Sequence, residues 1–286
     1  MEFFEGWSGI GYILGLLAIA LAVEMIVPWR ARAVDAGRWL RNASMAFYAT
    51  IIIGLFPFLA SMGAAASADA AGAGLLNVIN VPLWAELALA VIVIDILSYA
   101  EHRVLHRWYF FWRTHRTHHS DIHIDATTSL RFHPLESMFR AGVEAAVVFA
   151  LALPAEGILL SFALSALLNT FTHTNVKLPA RFERAMSYLF ITPYVHRVHH
   201  STRLENQYSN FGTIFSVWDR LLGTYRDSSH LHAEEKFGLD DNESIEGETF
   251  ASLALEPFRT PDNPRVPKPA GADAPAHGEA AIDPHA

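Results

Sequence analysis

The chain has 286 residues, of which 52 % are hydrophobic and 17 % charged, and it contains no cysteine. That balance is too apolar for an ordinary soluble domain, and the missing cysteine excludes disulfides, zinc–thiolate sites, iron–sulfur clusters and thiol nucleophiles. The net charge of −8 belongs to the end of the chain, where residues 227–286 hold 13 acidic and 4 basic side chains, so there is no basic patch of the kind nucleic acid requires.

Three apolar runs come first, at 9–27, 45–60 and 83–99. A membrane-spanning helix needs about 20 apolar residues, so each is read as a span, the last two with a few flanking residues. The first run lacks a basic leader and ends in Pro28-Trp29-Arg30, which reads as a span and not as a cleaved signal. Glu24 within it either snorkels to the membrane edge or meets a polar group of a substrate. The segment after this run carries Arg30, Arg32, Arg38 and Arg41, and the positive-inside bias places it in the cytoplasm. The Ala/Gly/Ser-rich stretch 61–81 reads as a loop on the far side. The third run then returns to the cytoplasm and delivers Glu101-His102-Arg103 there. The run Trp108-Tyr109-Phe110-Phe111-Trp112 fits an interfacial aromatic belt or the rim of a lipid entrance. A further apolar block, 141–171, is broken at Leu153-Pro154-Ala155-Glu156-Gly157 and reads as a hairpin, spanning or re-entrant, that brings His173 back to the same side.

The expected fold is therefore all-α: multi-pass membrane helices carrying a cytoplasmic helical cap with a di-metal histidine site. Residues 1–82 form the N-terminal spans and basic loop, and 83–258 the catalytic domain. Residues 259–286 form a Pro/Ala-rich tail expected to be disordered.

Histidine is the outlier. Of 15, 11 lie between His102 and His200. His102 and His106 are four apart, so on a helix they share one face. His115, His118 and His119 repeat the spacing of His196, His199 and His200, and His173 stands alone. In each HxxHH box the third and fourth residues after the first flank its direction, so one box can serve two metals a few ångströms apart. Nine histidines would give four or five nitrogens to each of two ions. Imidazole suits zinc, copper, iron and nickel. Two redox-active irons with an open position would bind and reduce dioxygen. His133 is read as a neighbour of the metal ligands or a ligand itself, His123, His230 and His232 as local structure, and His277 and His285 as irrelevant tail residues.

The combined pattern resembles the fatty acid hydroxylase/sterol desaturase superfamily. It runs from about Asp95 to Tyr225. It includes Asp95, Tyr99, His102 and Arg103, then Phe111, Trp112 and the first box with Ser120. It continues through Thr127, Thr128, Arg131, His133 and Pro134, and through Thr192, Pro193 and the second box with Ser201. It closes on Asn210-Phe211-Gly212 and Trp218-Asp219-Arg220 with Gly223-Thr224-Tyr225. Upstream, Arg38, Trp39 and Asn42 also match bacterial members. The resemblance implies a di-iron centre beneath a lipid tunnel, with the nine histidines as ligands and dioxygen as co-substrate, hydroxylating or desaturating fatty acyl chains, sterols, carotenoids or aminolipids. Zinc would enter such a nitrogen-rich site as a substitute in a purified sample. The chain departs from some relatives at the hairpin exit, where Thr172 and Asn175 flank a single His173, leaving a tenth position to water or Asn169.

Metal-bound histidines donate their second N–H to a carboxylate or carbonyl. Asp95, Glu101, Asp121, Asp125, Glu136 and Asp219 are available, with Asp95 and Asp219 ranked first. The chain has no cysteine cluster, dinucleotide glycine motif or haem domain, so a separate ferredoxin- or cytochrome-type donor is expected. A desaturase with the same site is the nearest alternative. A zinc hydrolase would want an HExxH pairing, which is absent, and a metal-storage or transport loop would be of low complexity.

Overall fold

A computed structural model describes residues 7–31, 33–231, 235–239 and 248–259. Among the described residues, twelve α-helices follow in chain order. The first seven are α1 (Trp7–Ile26), α2 (Ala36–Gly54), α3 (Ser61–Ala71), α4 (Leu83–Arg107), α5 (Tyr109–His119), α6 (Pro134–Leu151) and α7 (Ala155–His173). Shorter helices complete the cap: α8 (Ala180–Ser187), α9 (Pro193–His199), α10 (Leu204–Gln207), α11 (Val217–Leu221) and α12 (Phe250–Arg259). Only isolated bridges, and no strand, occur among the described residues.

Among the described residues, three helices are long and apolar enough to cross a membrane: α1 over Gly9–Ile26, α4 and α7. Along α4, Trp84 near one end is 74 % exposed, and just past the other end Trp108 is 64 % exposed. Twenty-four residues of helix separate them by about 36 Å, close to a hydrocarbon core plus its interfaces. The aromatic run after α4 divides. Trp108 and Phe110 face outward, whereas Phe111 packs on Phe139 with ring centres 4.3 Å apart and Trp112 packs on His106.

The second apolar run behaves differently from expectation. Asp35 caps α2 by accepting the Arg38 N–H at 2.9 Å, so the helix starts well before the run, and it stops at Gly54 ahead of Pro57. α2 is not among the three helices suited to crossing, because its first turns hold Arg38, Arg41 and Asn42. The stretch 61–81, expected as loop, contains α3. Alanine is the strongest helix former, and the small side chains of Ala65 and Ala68 let α3 lie close against Val148 and Ala152 of the following hairpin. In that hairpin Ala152 takes a left-handed φ of 53° and Pro154 precedes α7, as the breaker sequence predicts. Its arms do not zip together, however. α6 packs chiefly on α2 and α3, and α7 on α4, the turn at Ala126–Leu130 and α9.

A buried polar layer ties the N-terminal helices to the histidine-bearing part. Arg38 is only 5 % exposed. Its Nε and Nη2 donate to the two oxygens of Asp121 at 2.7 and 2.9 Å, and it also bonds Asp125 and the His123 carbonyl. Asn42 donates to Thr127 at 3.0 Å and accepts from Arg131 at 3.2 Å, and Arg131 in turn pairs with Glu248 beside α12. The Asp121 carboxyl is pushed up by burial, but Arg38 and Arg131 outweigh this and hold it well below the usual range. Arg38 is thus spent inside the protein and does not contribute a free positive charge to the loop. Glu24 resolves similarly: its Oε1 accepts the backbone N–H groups of Ala126 at 2.8 Å and Asn175 at 2.9 Å, pinning the segments before and after the hairpin to α1. The tail expected over 259–286 lies outside the described residues beyond Arg259.

Removing Arg38 strands a buried carboxylate, a loss of about 3–5 kcal/mol. Removing Glu24 leaves two N–H groups unpaired, about 1–3 kcal/mol. Unfolding in detergent should therefore rank wild type above Glu24→Ala and Glu24→Ala above Arg38→Ala. An Arg38→Ala protein as stable as wild type would show that the polar layer does not hold the helices.

Candidate metal centre

α4 crosses to its last two turns carrying His102 and His106 on one face, both buried. The chain bends at Trp108, whose backbone is extended, and restarts as α5, which ends in His115, His118 and His119. α7 ends on His173. Thr192 opens α9 by accepting the Val195 N–H at 3.3 Å, with Pro193 in the first position, and this short helix presents His196, His199 and, at its end, His200. Four helices thus deliver all nine imidazoles to one buried layer.

Within it they sort into two groups whose nitrogens lie within 4.8 Å of one another: His102, His106, His115, His119 and His199 in one, and His118, His173, His196 and His200 in the other. The two boxes are divided reciprocally. The first sends its outer pair, His115 and His119, to the five-membered group and His118 to the other. The second sends His196 and His200 to the four-membered group and His199 to the first.

Ring nitrogens face each other without satisfactory hydrogen bonds. Nε2 of His102 and His115 are 3.1 Å apart, and the Nε2 atoms of His118–His173, His173–His196 and His196–His200 are 3.2, 3.0 and 3.1 Å apart. Two neutral imidazoles can share one proton, but four tips in mutual contact cannot all be satisfied this way. Two nitrogens at right angles, each about 2.1 Å from one ion, would stand about 3.0 Å apart, so the observed spacing fits a metal. Further buried nitrogens are orphaned, including both of His106 and of His119, and Nε2 of His199. Leaving such groups unpaired is costly, and an ion would satisfy them. Burial first, and neighbouring rings second, push His118, His119, His196 and His200 well below the ordinary imidazole value, and His199 to about 3. Neutral imidazole is the form that binds metal.

Four rings are oriented from behind. The Nδ1–H of His102 donates to the Phe211 carbonyl at 2.9 Å, that of His173 to Asn169 O at 2.7 Å, and that of His199 to Ser209 O at 2.7 Å. His115 Nδ1 meets both oxygens of Glu136 at 3.0 Å. Burial pushes the Glu136 carboxyl up, but His115 and Arg140 bring it below its usual value. Glu136 is therefore the carboxylate that touches a histidine, ahead of Asp95 and Asp219. Those two act one step further back. Asp219 accepts the N–H groups of Phe211 and Gly212, both at 2.8 Å, and Asp95 accepts those of Ile214 and Phe215 and the Trp218 indole N–H. Together they hold the loop whose carbonyls orient His102 and His199. Gly212 is needed there, since a Cβ would lie 2.6 Å from the Phe215 carbonyl.

His133 joins neither group. It caps α6, accepting the Leu135 N–H at 3.2 Å, and its Nε2 meets the Ala254 carbonyl at 3.1 Å. His123 and His230 also stand outside both groups, while His232, His277 and His285 lie outside the described residues. The Asn169 side chain donates to Ser129 O at 3.3 Å and lines a cavity of 510 Å³. That cavity reaches His102 and His115 of one group and His118, His173 and His196 of the other, and rises between α6 and α7. The residues of its α6 wall were not singled out from sequence. Their signal is the spacing of Glu136, Arg140 and Glu144, three charges four apart in an otherwise apolar helix.

Residues 87–224 match the family model described as fatty acid hydroxylase. The chain is 29 % identical over 144 residues to the ornithine lipid hydroxylase OlsE of Rhizobium tropici, a match covering 50 % of this chain and 43 % of that protein. It is 27 % identical over 162 residues to an alkylglycerol monooxygenase of Caenorhabditis elegans, covering 57 % and 30 %. It is 31 % identical over 142 residues to the very-long-chain aldehyde decarbonylase GL1-9 of Oryza sativa subsp. indica, covering 49 % and 54 %. The chain thus matches only about a third to a half of each relative's length. No solved structure matches it.

Glu136→Gln removes the charge behind His115 while keeping its shape. Metal affinity should fall by about 10–100-fold, read by competition with a chelator, with the helical content unchanged. Unaltered affinity would mean that Glu136 does not serve the metal.

Proposed function

Because residues 87–224 of this chain belong to the fatty acid hydroxylase family, we propose that it is a membrane di-iron oxygenase that hydroxylates a C–H bond of a lipid. Dioxygen is the co-substrate, and a separate ferredoxin- or cytochrome-type protein supplies electrons. The observation that carries this reading is the opening of both histidine groups onto the cavity between α6 and α7. His102, His106, His115, His119 and His199 hold one iron, and His118, His173, His196 and His200 the other. An all-imidazole donor set suits iron, and accepts zinc as a substitute. Bound there, iron supplies the reduction of dioxygen and the oxidation of the lipid C–H bond.

The chain's own residues do the rest. His102, His115, His118, His173 and His196 form the cavity floor, so a lipid carbon entering it comes to rest against both groups. Phe132, Phe162, Ile53, Leu59 and Met62 give it apolar walls and exclude water. Glu136 and the carbonyls of Phe211, Asn169 and Ser209 keep the rings turned toward the ions. Asn169, whose side chain lines the cavity beside His173, or a water would complete the four-histidine group. Residues 83–258 act as the catalytic unit on a scaffold formed by 1–82. The basic segment with Arg30 and Arg41 supports a cytoplasmic placement of the site, at a bacterial inner membrane. Relatives named for ornithine lipid, alkylglycerol and very-long-chain aldehyde support a lipid substrate.

Lipid analysis of cells expressing the chain under heavy-isotope dioxygen tests this. We expect a lipid one labelled oxygen heavier, absent with His118→Ala/His199→Ala, a double variant that disables both groups. A lipid two hydrogens lighter would make the enzyme a desaturase. Purified iron-loaded protein that, given a reductase system and membrane lipid extract, consumes no dioxygen beyond the double variant would overturn the oxygenase reading.

A further inference from the structure

The two arms of the α6–α7 hairpin present helical stripes to the cavity: Ser137, Arg140, Ala141 and Glu144 from α6, facing Phe162 and Ser165 of α7. A pocket for the middle of an alkyl chain needs only apolar walls. This one carries formal charge, which is expensive beside a membrane unless something pairs with it. Arg140 is already engaged: its Nε donates to Glu136 at 3.0 Å and its Nη1 lies 3.8 Å from Glu101. One guanidinium thus faces two carboxylates before Glu144 is considered. Glu144 accepts the Ser61 hydroxyl at 2.6 Å and forms no ion pair among the described residues. It is the carboxylate of this wall that reaches the cavity, and the cation near it, Arg140, is already shared between Glu136 and Glu101.

We propose that Glu144 and Ser61 anchor a cationic, amine-bearing part of the lipid substrate. The proposal rests on the hydroxylase reading and narrows its substrate class. Glu136 touches His115, and Glu144 lies eight residues further along α6, about 12 Å by helix geometry. An ammonium seated on Glu144 therefore leaves on the order of ten bonds of extended chain before the histidine floor. The carbon to be oxidised then belongs to the headgroup or to the chain segment next to it, and not to the methyl end of a long acyl chain. A charge-assisted hydrogen bond inside a water-poor cavity gives this contact both strength and selectivity. A neutral headgroup would leave the half-buried Glu144 with only the Ser61 hydroxyl.

Equilibrium binding to the iron-loaded full-length protein in nanodiscs tests the anchor with two matched probes, N-dodecanoyl putrescine, which has a free amine, and its N-acetylated twin, which does not. Wild type should bind the amine at least about tenfold more tightly than the twin. Glu144→Gln, which keeps the acceptor for Ser61, should bring the two affinities together, and its iron content and thermal unfolding report whether it is folded. Ser61→Ala should weaken amine binding severalfold and serves if the first variant does not fold. Equal binding of both probes by wild type, or an undiminished preference in Glu144→Gln, overturns the anchor. Neither readout needs turnover, so a protein that prefers the amine yet oxidises no lipid would count against the hydroxylase reading alone.

Discussion

Nine imidazoles brought to one buried layer, six of them with ring nitrogens in contact near 3 Å, form the constraint around which this protein is arranged. Burial favours the neutral form of His118, His119, His196, His199 and His200, and a neutral imidazole is the form that can ligate a metal. The same burial leaves lone pairs facing lone pairs, which hydrogen bonding among the rings cannot satisfy. The ions that this layer is suited to hold would convert the conflict into coordination. Everything behind the rings follows from the need to keep their Nε2 atoms turned inward. Glu136 and the Phe211, Ser209 and Asn169 carbonyls each fix one ring, and Asp95 and Asp219 fix the loop that supplies two of those carbonyls.

The second requirement is to hold helices of different origin at one height. Apolar contact alone does little to set the depth of α1, because a lipid-facing helix gains little from sliding against another. Directional bonds do this instead. Arg38 meets Asp121, two residues past the first box, and Glu24 receives the N–H of Asn175, two residues past His173. Buried ion pairs are poor sources of net stability but effective at specifying one arrangement. Here the arrangement they specify is the register of the N-terminal helices against the metal layer.

How much of this could be read from sequence follows from the range of each signal. The boxes are local: residues three and four apart on a helix must be neighbours, so His102, His106 and the two triplets were legible as groups that the fold brings together. Their reciprocal division was not, because it depends on how α5 and α9 face each other. The choice among carboxylates failed for the same reason. Asp95 and Asp219 lie in conspicuous motifs, but contact is decided by tertiary placement, and only Glu136, in the first turn of α6, reaches a ring. Glu24 could not be assigned from its position in an apolar run, since its partners lie about 100 and 150 residues away. The Ala-rich stretch containing α3 was missed because small residues give a weak hydrophobic period while having strong helix propensity.

The reciprocal boxes have a consequence for how the site fills. Because α5 and α9 each contribute to both groups, neither ion has a private scaffold. A first ion would tie these two short helices together, and it would bear the ordering entropy for a second as well. The second would then meet ligands already in place, and loading would be cooperative, a single steep step in a metal titration instead of two.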